Sequence, residues 1–271
     1  MSDVDINRSH WDSMAGVHGN GTDRIYDVDA LIAGGDSRTG PEREAVAEAI
    51  GELDGKRVMH LQSHIGYDAI SMARLGAEVT AVDFSPVALA KARATAERCG
   101  VALETVESEA TNLPAELHDR FDLVYANLGA ICWIEELEAW MRAAGSALVT
   151  GGHLVLVDLH PIAQMVDETD PLKLGFDYAF SGRFEEAEDG SYADPDAAVD
   201  GRTVVYAHSL GETFGAATAA GLTVERLREH LELEFDCWGG GELVLEDDGR
   251  YRLRQDGYAL PLLFTLIAYK P

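Results

Sequence analysis

The chain has 271 residues, with 21 Lys and Arg against 48 Asp and Glu, a formal charge of −27. Its 46% hydrophobic and 25% charged content is ordinary globular composition, enough for one large domain or one and a half. So acidic a surface repels phosphate backbones and anionic lipid head groups, no apolar run approaches the ~20 residues of a membrane span, and the opening MSDVDINRSHWD lacks the basic and apolar parts of a secretion signal. Nucleic-acid and membrane partners are therefore not expected, and a cytoplasmic location is.

Residues 1–50 read as an N-terminal helical lid, polar and dotted with His10, Trp11, His18 and Tyr26. GGDSRTGPE (34–42) is a loop by composition, and Pro41 suits the first turn of a helix over 42–53 with Val46, Ala49, Ile50 and Leu53 on one face. A regular alternation follows over 51–164. Strands are expected at 57–61, 78–82, 103–106, 121–126 and 153–159; helices at 67–75, at 86–99 with Ser85 as its cap, and at 135–148, closed by Thr150-Gly151-Gly152. Strands alternating with helices imply βαβ units, hence an α/β fold with a doubly wound, mostly parallel sheet. Residues 165–207 are acidic and turn-rich, an insertion with a hairpin expected around Asp189-Gly190. Residues 208–271 return to the same sheet, with a helix at 210–220 and strands at 223–227 and 260–268. A hairpin is expected to pair 243–245 with 251–253 across Asp247-Asp248-Gly249.

Cys99, Cys132 and Cys237 are too few and too scattered for a disulfide framework or a zinc site, and read as idle thiols. Four of the 21 basic residues are Lys and the rest Arg, which fits a GC-rich or a salt-loving source.

In an open α/β sheet the ligand lies beyond the carboxyl ends of the strands. Those ends are Leu61-Gln62-Ser63-His64-Ile65-Gly66, Asp83-Phe84, Asn127-Leu128-Gly129 and His160-Pro161. Asp83 stands 17 residues past Gly66, close to the ~20-residue offset of a ribose-binding acid, although spacing alone leaves a helix cap open. A dinucleotide needs a glycine-rich turn so that backbone can approach the pyrophosphate. Here Gln62, His64 and Ile65 surround a single Gly66. A nucleoside cofactor without phosphates, such as S-adenosylmethionine, does not need that cradle.

The run VMHLQSHIGYDAISMARLGAEVTAVDFSPVALAKARA (58–94) resembles the first two cofactor motifs of class I S-adenosylmethionine-dependent methyltransferases, in a bacterial branch whose first motif reads HLQ-x-H-x-G. The resemblance runs on through SEATNLP, FDLVYANLGAICWI and GGHLVLVDLHP, and extends to the N-terminal NRSHWD…YDVD and the later HSLGE…AAGL and LPLLFTL segments. It implies a Rossmann-like, seven-stranded sheet whose cofactor-binding core is 51–164. The family's first motif is an acid followed by three glycines. Here His60 takes the acid's place, Gln62 and His64 replace two glycines, and Gly66 remains. The resemblance makes Leu61, Gln62, His64, Gly66, Asp83, Phe84, Glu109, Ala110, Asn127 and Leu128 the cofactor-binding set. In it Asp83 meets the ribose, Phe84 lies beside the adenine, Glu109-Ala110 stands where the family has Asp-Ala near the adenine amino group, and Asn127-Leu128 passes the methionine.

Methyl transfer is an in-line displacement, and a base helps if the acceptor is a hydroxyl or amine. His160, at the ligand edge of a strand, is the first candidate and His208 the second. Trp11, His18, Tyr26 and Trp133 are candidates for an aromatic lid or acceptor wall. The expected function is methyl transfer to a small-molecule O-, N- or C-nucleophile. Non-methyl use of S-adenosylmethionine, such as a cyclisation, and a non-catalytic binding protein on this scaffold stay open. A nicotinamide oxidoreductase lacks its glycine turn here, a metal hydrolase lacks HxH or HExxH, and no metal is expected.

Overall fold

Ser2 starts the first helix with a reciprocal capping box to Asp5, and Thr39 starts the third with the same device to Glu42. These caps place helices in an N-terminal segment whose apolar stripe is weak. In the computed structural model residues 2–21, 25–167, 170–178, 183–187, 190–194, 196–237 and 243–271 are described. In chain order they form α1 (Asp3–Val17), α2 (Val28–Ile32), α3 (Gly40–Ile50), β1 (Arg57–Leu61), α4 (Tyr67–Arg74), β2 (Glu78–Asp83), α5 (Pro86–Cys99), β3 (Glu104–Glu107), β4 (Phe121–Asn127), α6 (Leu137–Ala147) and β5 (Leu148–Leu159). There follow β6 (Val166–Asp167), β7 (Asp170–Leu174), β8 (Arg183–Ala187), β9 (Arg202–Tyr206), α7 (Leu210–Ala219), β10 (Thr223–His230), β11 (Val244–Leu245), β12 (Tyr251–Gln255), β13 (Tyr258–Leu260) and β14 (Leu263–Tyr269).

The main sheet has seven strands in the order β10-β14-β5-β4-β1-β2-β3. The five strands from β5 to β3 pair in parallel, while β14 is antiparallel to both its neighbours. This is the expected doubly wound, Rossmann-like arrangement. Side chains alternate across each strand. Met59, Leu61, Val124, Leu154 and Leu156 face α6 and α7, meeting Trp140, Met141 and Ala217. Val58, Leu123, Tyr125, Val155 and Ile267 face the other way, towards Val46 of α3 and Met72 of α4. Among the described residues no helix is long and apolar enough to cross a membrane.

Several boundaries depart from the sequence reading. β5 begins at Leu148, directly after α6, because Thr150-Gly151-Gly152 makes a bulge within the strand rather than a loop before it. β14 starts three residues later than expected, after Pro261, which has no N–H for the ladder. The 243–245/251–253 hairpin forms as β11 and β12. In the insertion β8 pairs with β9, Ala187 opposite Arg202, so the connection is longer than a tight turn; Gly190 lies within it and Asp189 outside the described residues.

The insertion and α1 are tied together. The Asn7 side chain donates to Val204 O and accepts from Val204 N–H, both at 2.8 Å. Asp3 takes Arg183 and the Tyr206 hydroxyl, each at 2.7 Å, and Ser9 donates to Asp200 at 2.6 Å. α1 also packs on α5, and so forms with the insertion a roof beside the carboxyl ends of β1, β2 and β4.

Candidate functional site

The turn after β1 is built from three residues in the left-handed region: Gln62 (φ 58°), His64 (φ 47°) and Gly66 (φ 76°). These are the three positions where the resemblance places glycines. Two L side chains are held there by specific bonds, against a strain of order 1–3 kcal/mol each. Gln62 Nε2 donates to Ala130 O at 2.9 Å and its Oε1 accepts from Trp140 Nε1 at 2.7 Å, which straps the turn to the loop after β4 and to α6. His64 N–H donates to Asp83 Oδ2 at 2.8 Å. Gly66 is required by space as well as by φ, since a Cβ would stand 2.7 Å from that of Ala92 on α5. Leu61 points into the sheet core, fully buried, and does not line the cavity beyond the turn.

Asp83 closes β2 and faces that cavity. One carboxylate oxygen accepts from His64 N–H and the other from Ser85 N–H at 2.9 Å, with the Phe84 N–H a further backbone donor beside them. The residue is 6% exposed, and burial pushes its carboxyl up to about 6. Phe84, Ser108, Glu109, Ala110 and Thr111 continue the wall, with Arg8 of α1 over the Phe84 ring at 5.7 Å and 3.7 Å from Glu109.

The cavity has a volume of about 580 Å³ and runs along the strand ends from β2, across β1, to β4. At its β4 end Asn127 Nδ2 donates to Glu42 Oε1 at 2.6 Å and to Asp68 Oδ2 at 2.7 Å, and Asn127 Oδ1 lies 3.0 Å from His60 Nε2. Glu42 is 1% exposed; burial, then the neighbouring Asp68 charge, raises its carboxyl to about 7. Burial keeps His60 neutral by lowering its pKa. Leu128 and Gly129 follow, on a loop clamped by Asp158, whose buried carboxylate accepts the N–H groups of Gly129, Ala130 and Ile131.

The roof is aromatic. Trp11 of α1 meets Trp133 edge-on at 5.3 Å and His64 at 5.0 Å. Tyr26 OH lies 2.6 Å from Tyr192 OH in the insertion. His18, wholly buried, stands behind this wall with Nδ1 2.8 Å from His64 Nε2 and Nε2 2.6 Å from Ser191 Oγ. Burial, then Lys91, pushes its pKa down to about 3.

Thus nine sequence candidates converge on the cavity: Gln62, His64, Gly66, Asp83, Phe84, Glu109, Ala110, Asn127 and Leu128, with Trp11, Tyr26 and Trp133 as the roof bringing the set to twelve. His18 supports the wall without lining it. The two candidate bases lie elsewhere. His160 is 1% exposed, its Nδ1 accepting from Ile162 N–H at 3.1 Å and its Nε2 2.9 Å from Glu229 of β10, so it closes the turn after β5. His208 Nε2 bonds Ile134 O at 2.6 Å and lines a separate cleft that shares Glu135 and Glu136 with the cavity. Sequence reasoning missed Glu42 and Asp68, which look like an ordinary helix cap and first-turn acid, and Ser191 and Tyr192, which carry no motif. The one available signal was the absent acid at the end of β1.

Residues 58–152 match a family described as a methyltransferase domain. Over 109 residues the chain is 35% identical to a ubiquinone biosynthesis O-methyltransferase of Xanthomonas euvesicatoria, covering 40% of this chain and 45% of that protein. A protein of the same name from Alkalilimnicola ehrlichii is 30% identical over 115 residues, 42% of this chain and 46% of its own. The chain spans about half the length of the curated relatives it matches. An S-adenosylmethionine-dependent methyltransferase from Mesorhizobium loti superposes with a TM-score of 0.56 at 21% identity, over 85% of this chain and 98% of that one. Magnesium protoporphyrin IX methyltransferase from Synechocystis, solved with SAH bound, gives 0.58 at 17% identity over the whole of both chains. The fold is that of the class I S-adenosylmethionine-dependent methyltransferases, and residues 58–152 match a methyltransferase domain. S-adenosylmethionine is accordingly the expected cofactor, and the Asp83 carboxylate facing the cavity and the left-handed turn after β1 fit it.

Proposed function

We propose that the chain transfers the methyl group of S-adenosylmethionine to a small-molecule acceptor held under the roof of α1, Tyr26 and residues 191–192. Asp83 carries the reading, because a buried carboxylate held by backbone N–H groups at the end of β2 and facing the cavity can accept both hydroxyls of a ribose. The adenine then lies towards Phe84 and Glu109-Ala110, and the methionine crosses β1 towards Asn127 and Leu128. The bound cofactor supplies an electrophilic methyl on a sulfonium. The chain's residues align the acceptor and exclude water, with Trp11, Trp133, Tyr26 and Tyr192 as the walls. With His160 and His208 engaged elsewhere, alignment rather than a dedicated histidine base carries the transfer.

The test is release of S-adenosylhomocysteine on incubation with a panel of small phenols, amines and thiols. Trp11→Ala should lower kcat/KM for an accepted substrate at least tenfold while changing cofactor Kd less than threefold. Release of methylthioadenosine instead would identify a cyclisation. Tight cofactor binding without turnover across the panel would identify a binding protein, and an unimpaired Trp11→Ala would remove the roof from the acceptor site.

A further inference from the structure

We propose that Glu42 of α3 and Asp68 of α4 together form the receptor for the α-ammonium of the cofactor's methionine, in place of the carboxylate missing where His60 ends β1. The inference rests on the cofactor reading above. Three observations carry it.

The first is position. Asp83 stands at the end of β2, and β1 separates β2 from β4 in the sheet. A cofactor whose ribose sits on Asp83 and which crosses the turn after β1 ends at Asn127, where Glu42, Asp68 and His60 line the same cavity.

The second is the hydrogen-bond inventory. The Asn127 amide donates to both carboxylates, so its Oδ1 accepts from His60 Nε2–H. The neutral ring then presents Nδ1 as an acceptor, and that atom is buried without a partner. Ser63 Oγ, on the turn and also lining the cavity, is likewise buried without one. Glu42, Asp68 and His60 Nδ1 are all acceptors, and a site of acceptors asks for a donor with several protons. An ammonium has three.

The third is charge. The neighbouring cation, Arg38, is committed to Asp36 through Nε and Nη2 at 3.0 and 2.7 Å, and does not line the cavity. Glu42 and Asp68 therefore face each other across Asn127 with no cation between them, and burial, with that like charge added, lets Glu42 hold its proton to about 7. The other groups facing Glu42 are the N–H and hydroxyl of Thr39 and the Tyr125 hydroxyl, none of them cationic. A ligand ammonium supplies the missing positive charge.

Calorimetry with two ligands tests this. S-adenosylhomocysteine carries the ammonium; 5′-methylthioadenosine keeps the nucleoside and lacks it. Glu42→Gln preserves the cap on Thr39, since Gln serves the capping box as well as Glu. Glu42→Gln and Asp68→Asn should each weaken S-adenosylhomocysteine about tenfold or more, the scale of a charge-assisted bond, and leave methylthioadenosine within twofold. A second measurement needs no variant. Near pH 7 the wild-type protein should release protons on binding S-adenosylhomocysteine, read from the dependence of binding enthalpy on buffer ionisation, and none on binding methylthioadenosine. Equal losses for both ligands, no loss for either, or no proton release would overturn the ammonium assignment alone. A wild-type protein that binds neither ligand would overturn the cofactor reading and this inference with it.

Discussion

Asp83 sits where two demands on one carboxylate conflict. Burial away from water favours the neutral acid, and the proposed ribose contact favours the anion. The backbone donors of His64 and Ser85 offset part of the burial, and the carboxyl still rests at about 6, above its ordinary 3.8. Because the folded carboxyl holds its proton longer than the unfolded one, its contribution to stability is greatest below about pH 4 and declines as pH rises to about 6. The buried neutral histidines His18, His60 and His64 act in the opposite sense, so the effect is isolated by comparison with a variant. Asp83→Asn should gain about 2 kcal/mol on wild type in denaturant unfolding as pH goes from 4 to 6.5. It should also weaken cofactor binding by about 1–3 kcal/mol at pH 7.5. A gap that does not change with pH would mean the carboxyl is already ionised at pH 4.

The roof is an element held by neutral histidines. His18 bridges His64, on the cofactor turn, and Ser191, in the insertion. Its pKa is depressed to about 3 and that of His64 lies well below the ordinary value of 6.5. Depressed histidines stabilise the closed roof fully above about pH 6.5, and that stability is lost as pH falls towards the folded values. Hydrogen exchange and proteolysis at 191–201 should therefore accelerate between pH 7 and pH 5 while β1, β4 and β5 stay protected. His18→Phe should blunt the acid response, and equal acceleration in that variant would dissociate the roof from this histidine. This roof was barely legible in the sequence, for a physical reason. α5 could be placed at Pro86–Cys99 and β1 at Arg57–Leu61 because caps and apolar period are local signals. α1 buries only Ile6, Met14 and Ala15 among its apolar side chains and leans on polar bonds to a partner some 180 to 200 residues away, such as Asn7 with Val204. His160 misled for the same reason: a histidine at the ligand edge looks free until Glu229 arrives from β10. Asp83, Gln62 and His64 were legible because their positions in a local turn define them, and Glu42 and Asp68 were not, because only the folded chain brings them to one amide.

At the scale of the whole molecule, charge dominates. Many Arg residues are tied into surface ion pairs, as Arg252 is with Glu246 and Asp248, but exposed pairs contribute at most ~1 kcal/mol each. The excess of 27 negative charges is left to repel itself. Salt at about 1 M shortens the Debye length to ~3 Å and removes most of that repulsion. The melting temperature should rise from low salt to 1 M, and a flat or falling curve would leave base composition as the source of the Arg and acid bias. The sheet order has a consequence for how the chain is made. Strands β1 to β5 find their neighbours within residues 57–159 and can pair as they leave the ribosome. β10 cannot, because among the described residues its neighbour in the sheet is β14, which is translated after it and fits between β10 and β5. A nascent chain short of residue 263 thus carries a long open edge on β5, and an open edge is a template for another chain. The arrival of β14 is thus what separates the closed sheet from an aggregation-prone intermediate.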